Sequence, residues 1–333
     1  MTGFGPGSGR RPLLVAFASV ALWALLLVVS RIVLVTWDVD PWSFTFVQLI
    51  AGGVVSIVAS TAVVGGEASG EAVEAADWSS LRRVRTWLYG SFRVTTAAAF
   101  TAALAHTTVT YAGLLGTINL VLGVIGAAIV YGRWPGRGEY VGLALVAAGI
   151  ALLVATRLDG GLRNPAVALM LVSELAVVGA ALVAESHPDN AGESRTVRLR
   201  FSGVVLVLTA SLFLALRLAQ QAIGGGPLGA TIDTSPSMWI AGIVVGVTLR
   251  GPAMYTALNA TRLVGAEVYL MVTASLAFAG LLLETAAGAL GVVDRPTFDA
   301  IDGLLLAIIA CGAVSVFAAR RRATARGAAA TVT

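Results

Sequence analysis

No lysine occurs in this chain, and charge of either sign is scarce. Its 333 residues hold 22 basic side chains, all arginine, and 18 acidic ones. Charged residues make up 12% of the chain, against about 25% in a soluble domain. A Walker-type phosphate loop needs its lysine, so its absence excludes an ATP-driven motor of that kind. The single cysteine, Cys311, excludes an intramolecular disulfide. With only His106 and His187 there is no zinc-type ligand cluster. Neither an HExxH nor a GxSxG string is present. No catalytic residue, metal or cofactor is therefore expected, and the chain reads as a non-enzyme. The net charge of +4 comes from arginines near helix ends. Nucleic-acid binding would need a basic face on a folded soluble domain, so no such partner is expected.

Long apolar runs are what the chain does have. It is 57% hydrophobic with a mean hydropathy of +0.88. A helix needs about 20 apolar residues to cross about 30 Å of hydrocarbon, and about ten runs qualify. They fall at about 13–35, 42–64, 86–106, 109–131 and 139–156, then 166–185, 199–223, 238–259, 263–284 and 303–319. The fold expected is an all-α polytopic membrane protein of about ten spans, with the lipid bilayer as its first partner. The segment MTGFGPGSGRRP leads into the first run without a small-residue cleavage site, so that run reads as a membrane helix and not a removable signal.

One stretch occurs twice. Trp87 to Gly132 is an apolar hairpin with a break near His106–Thr108, and Trp239 to Glu284 repeats its hydropathy 152 residues later. Trp87 falls on Trp239, Gly90 on Gly242, and the second break is expected at Ala257–Arg262. Weak internal symmetry of this period is what transporters built from duplicated halves show. Two units follow, 1–157 and 165–322, with a linker at 158–164, a tail at 323–333 and an insertion at 285–302.

The arginines set the orientation. Fifteen lie in loops and helix ends on the side of the N-terminus, from Arg10 and Arg11 through the Arg82–Arg85 and Arg195–Arg200 clusters to Arg320–Arg326. Opposite them are Arg157, Arg163 and Arg295, with Arg31 and Arg217 near helix ends. By the positive-inside rule both termini are cytoplasmic. Five spans per half is an odd number, so the second half is inverted relative to the first. The arginine-only composition is that of a GC-rich genome, and the expected location is the cytoplasmic membrane of a prokaryote.

Trp23 is followed by Arg31 in the first span, Pro41 stands before the second, and Glu284 closes the ninth. In these residues the chain resembles the EamA-like ten-helix permeases of the drug/metabolite transporter superfamily. The glycine-bearing runs YVGLALVAAGIALL and DGLLLAIIACGAVSV close the two halves as in that family. The chain departs from the pattern at Gln48, where the family has Arg, although Arg200 fills the corresponding place in the second half. Further departures are Gly132 for a glutamate and Asn119 and Met271 for prolines. The resemblance implies a small-molecule solute as partner and transport as the activity.

Ionisable groups within apolar spans cost at least about 2.5–3.5 kcal/mol each, so each needs a reason. Glu174 and Arg250 lie near the middle of the sixth and eighth spans. Glu174 suits a proton or cation site and Arg250 an anchor for an anionic group; alternatively the two form a structural bridge or exchange partners. Arg93 and Glu267 lie nearer their helix ends, where a snorkelling side chain is the competing reading. Asn119 either packs against a neighbouring helix or faces a cavity, beside the small residues Gly116, Gly123 and Ala127. Pro252 should kink the eighth span, with Thr248, Tyr255 and Asn259 on its face. Trp23 either stacks on a solute or packs. Glu284 is expected at a solvated helix end. Two functions are open: a secondary transporter working by alternating access, with the proton as candidate coupling ion, or a scaffold or sensor that keeps the fold without transporting.

Overall fold

A computed structural model describes residues 11–66, 79–103, 106–107, 109–224, 233, 235–292 and 299–330. The helices are α1 (Arg11–Trp37), α2 (Pro41–Gly66), α3 (Val84–Ala103), α4 (Val109–Gly116), α5 (Ile118–Tyr131), α6 (Arg137–Arg157) and α7 (Pro165–Ser186). After them come the short α8 (Pro188–Ala191), α9 (Arg195–Gly224), α10 (Pro236–Val245), α11 (Gly251–Val264), α12 (Ala266–Thr273), α13 (Leu276–Ala289) and α14 (Ala300–Ala330). No strand occurs among the described residues. Three spans are composite: α4–α5, α10–α11 and α12–α13. Among the described residues nine helices are long and apolar enough to cross a membrane. The remaining span, α3, carries Arg85, Arg93 and five serine or threonine residues, and packs along α7.

Packing repeats when every element is moved on by five spans. Helix α2 packs on its own counterpart α9, α6 on α14, and α4–α5 on α12–α13. The contact of α3 with α7 recurs as α10–α11 with α1, that of α3 with α9 as α10–α11 with α2, and that of α4–α5 with α7 as α12–α13 with α1. The chain is therefore a polytopic helical membrane protein whose two sets of five spans pack in one pattern.

Lipid tails are as apolar as leucine, so association within a bilayer rests on close packing and hydrogen bonds. Two crossings of counterpart helices show how close the packing is. A Cβ added at Gly53 of α2 would stand 3.0 Å from the Gly203 carbonyl oxygen of α9, and one at Gly203 would stand 2.7 Å from that of Gly53. At the other crossing, a Cβ on Gly142 of α6 would meet the Gly312 oxygen of α14 at 2.6 Å, and the reverse distance is 2.8 Å. Backbone touches backbone at both.

Three helix irregularities gather in mid-span. Thr117 separates α4 from α5, its hydroxyl donating to the Leu114 carbonyl. Ala274 and Ser275 separate α12 from α13, the Ser275 hydroxyl donating to Val272. These turns occur without proline, at the level where the family pattern has its prolines. Between α10 and α11, Gly246–Arg250 forms a π-helical turn immediately before Pro252. The wider turn absorbs the hydrogen bond that proline removes, and such bulges recur at functional sites.

Several expectations change. The turn of the second hairpin lies at Gly265 and not at Ala257–Arg262, because α11 continues to Val264. Gly265 has φ +81°, a left-handed conformation that glycine adopts without strain, and the Glu185 carboxylate accepts from the Ala266 amide next to it, 2.9 Å away. The polar stretch after α7 is packed into the protein. His187 and Asn190 are fully buried, with the Asn190 amide donating to the Ala184 and Leu258 carbonyls. The His187 ring stacks on Phe201 at 4.1 Å, and burial pushes its pKa down to about 4, so it stays neutral at physiological pH. Arg198, counted above among loop charges, is 1% exposed and donates to Gly192 and Asn259. In the expected insertion, α13 continues to Ala289 and α14 begins at Ala300, while 293–298 lie outside the described residues. The expected tail is helical to Ala330.

Candidate functional site

Arg93 and Arg250 are the arginines that stand at the middle of apolar spans among the described residues. The structure brings them to one side chain. Their guanidinium carbons lie 4.9 and 5.2 Å from the centre of the Trp23 ring, and the two charges are close enough to repel one another. All three residues stand near the middle of their spans. Trp23 hydrogen-bonds Tyr269, whose hydroxyl also shares a 3.3 Å bond with Ser19. Tyr89, donating to the Met254 sulfur at 3.8 Å, is within electrostatic reach of Arg93. Among the described residues neither arginine forms an ion pair, and Nε of Arg250 is buried without a hydrogen-bond partner. A cation–π contact is worth about 0.5–2 kcal/mol. That offsets only part of the insertion cost of a charge in hydrocarbon, at least about 2.5 kcal/mol.

Glu174 forms a second, separate locus. It is 6% exposed and hydrogen-bonds the side chain of Asn119. Asn119 in turn donates to the Thr273 hydroxyl at 3.4 Å, joining α5 to α12 just beside the turns that interrupt both spans. A Cβ on Gly116 would stand 3.3 Å from the Glu174 carboxylate, so glycine makes room for it. The Asn119 carbonyl oxygen is buried with no donor. A bridge from Glu174 to Arg250, open on the sequence, is not formed: the carboxyl has Asn119 beside it and the guanidinium has Trp23.

The remaining candidates go elsewhere. Tyr255 hydrogen-bonds Arg198, so this part of the α11 polar face does not join Arg250. Glu267 is bonded to Arg320, which also donates to Glu139 at 3.0 Å, and this cluster ties α12, α6 and α14 at the arginine-rich end. Arg83 pairs with Asp189 at the same end. Glu284 is a correction. It is 3% exposed and takes a 2.7 Å bond from Arg31, linking α13 to α1 at the opposite end. There too Arg157 binds Asp299 and Asp302, and its guanidinium holds the Asp299 carboxyl below the usual carboxylate range.

Sequence reasoning missed Tyr89, Tyr269, Ser19 and Thr273. Spacing held a partial signal, since Ser19 and Trp23, like Tyr89 and Arg93, are four apart on one helix face. Thr273 and Tyr269 offered none, because their neighbours are about 150 and 250 residues away.

The all-helical bundle defines a polytopic membrane protein, and interrupted spans with ionisable groups at mid-depth are features that membrane transporters also have. Residues 10–155 match the EamA-like transporter family. That match falls on the first five spans, and the family is one of the drug/metabolite transporter superfamily. A crystal structure described only as that of a protein is similar over 93% of this chain and 98% of its own, at 20% identity and a TM-score of 0.61. At that identity the likeness establishes the fold alone. No curated protein matches the chain.

Proposed function

We propose that the chain is a secondary transporter that moves a small metabolite or drug-like solute across the cytoplasmic membrane of a prokaryote, with both termini cytoplasmic. One observation carries this reading: two arginines without ion pairs meet a tryptophan at mid-span, next to a π-helical turn. A scaffold would gain nothing from holding two such charges in hydrocarbon, whereas a carrier needs charge and polarity at mid-depth.

The two ends of the bundle then act as alternate seals. Arg31–Glu284 closes α1 against α13 at one end. The Arg320–Glu139–Glu267 cluster and the Glu185 cap on α12 close the other. Alternating access requires each to open while the other holds.

Glu174 is the coupling group. Protonated, its hydroxyl can supply the donor that the neighbouring Asn119 oxygen lacks; ionised, it stands in the span with a single amide partner. The two states thus differ in how they tie α7 to α5, which is what proton coupling needs. In proteoliposomes loaded with a pH dye and offered a mixed panel of organic acids, amino acids and organic cations, wild type should move protons on addition of its solute. Glu174→Gln should lower the proton movement by tenfold or more, with solute binding retained. Unchanged proton movement in that variant removes Glu174 from the coupling role, and no solute-dependent flux from any class in the panel counts against transport itself.

A further inference from the structure

Resting on the transport reading, we infer that the Trp23 locus is an anion site and that the solute is a small organic molecule bearing a carboxylate or phosphate, gripped between Arg93 and Arg250. Three features point the same way. The locus holds two positive charges and no carboxylate, since every ion pair among the described residues lies elsewhere. The charges come from α3 and from the π-helical turn before α11, elements that correspond under the five-span shift, so each set of spans contributes one guanidinium. The remaining lining is aromatic, from Trp23, Tyr89 and Tyr269, which suits the body of an organic solute.

A guanidinium presents five donors in a planar fork that matches the oxygens of a carboxylate or phosphate. Both guanidinium carbons lie over the Trp23 ring, and Nε of Arg250 is left without a partner. Like charges so placed repel one another across the locus. An anion between them turns that repulsion into two attractions. A cationic solute would meet the opposite field.

The test is binding, read without flux. Thermal unfolding of the purified full chain in detergent is followed with benzoate, phenyl phosphate, benzamide or benzylamine, each against sodium chloride at matched ionic strength. Benzoate or phenyl phosphate should raise the midpoint by on the order of a few °C, whereas benzamide and benzylamine should not. Arg93→Gln and Arg250→Gln should each reduce the shift and together abolish it, with Arg250→Lys keeping part of it. In anion-free buffer the double variant should unfold no lower than wild type, because the charges it removes oppose folding. A shift that survives in the double variant, or one matched by benzamide, overturns the inference. So does solute flux by a wild-type chain that shows no anion-dependent shift, and that result leaves the transport reading standing. An anion-dependent shift without flux of any solute supports the site and removes the transport reading.

Discussion

Gly142→Ala is expected to cost more stability than any other single methyl group added in the spans. The new Cβ would stand 2.6 Å from the Gly312 carbonyl oxygen and 2.6 Å from a Val316 methyl. No rotamer relieves a backbone contact, so α6 and α14 must separate along their length. Overpacking costs about 1–3 kcal/mol and occasionally more, and a backbone clash belongs at the upper end. Gly280→Ala is the matched control: it adds the same methyl in mid-span to α13, where nothing lies within 4 Å of the new atom. There the lower backbone entropy of alanine should be neutral or stabilise by about 0.5–1 kcal/mol. Thermal unfolding by size-exclusion recovery compares the two. Similar midpoints would mean that the α6–α14 crossing is not a close contact.

The second large effect belongs to Arg31 and Glu284. Their 2.7 Å bond joins α1 to α13, with the carboxylate buried and the guanidinium a third exposed. A pair so placed holds its end closed by on the order of 1–2 kcal/mol. Glu284→Gln should therefore shift the population toward the state open at this end by about tenfold. Spin labels at Val35 and Leu290, which are 66% and 80% exposed, should report a longer distance in the variant. Reversing the charges with Arg31→Glu and Glu284→Arg together should return the wild-type distance. A distance unchanged by Glu284→Gln would show that the bridge fastens the end in every state and is not a seal.

What could be read in advance followed from local chemistry. Apolar runs of about 20 residues gave the spans, and the side on which the arginines fall distributed the charges between the two ends as the helices do. The identity of the mid-span charges was also legible, because hydrocarbon tolerates so few of them. Their partners were not. Trp23, Arg93 and Arg250 lie in α1, α3 and the turn before α11, separated by about 70 and 160 residues, and only helix packing decides that both arginines choose the indole over Glu174. Glu284 seemed solvated because it ends an apolar run, yet α1 brings Arg31 beside it. The polar 187–198 stretch packs in because the Asn190 amide and the Arg198 guanidinium donate to backbone carbonyls, which composition does not show. The helix breaks at Thr117 and Ala274–Ser275 escaped notice for a simpler reason. Hydroxyls that bond back to a carbonyl three residues earlier replace the prolines one would search for.

The central claim is that position 250 lies on a path open in turn to each side of the membrane. With Cys311 first replaced by alanine, Arg250→Cys in sealed, uniformly oriented proteoliposomes is offered a membrane-impermeant thiol reagent from one side and then, in a separate sample, from the other. The account predicts modification from both sides, slowed from the Arg31–Glu284 side relative to the same cysteine in a Glu284→Gln background. Modification from neither side, or from one side only, would contradict it.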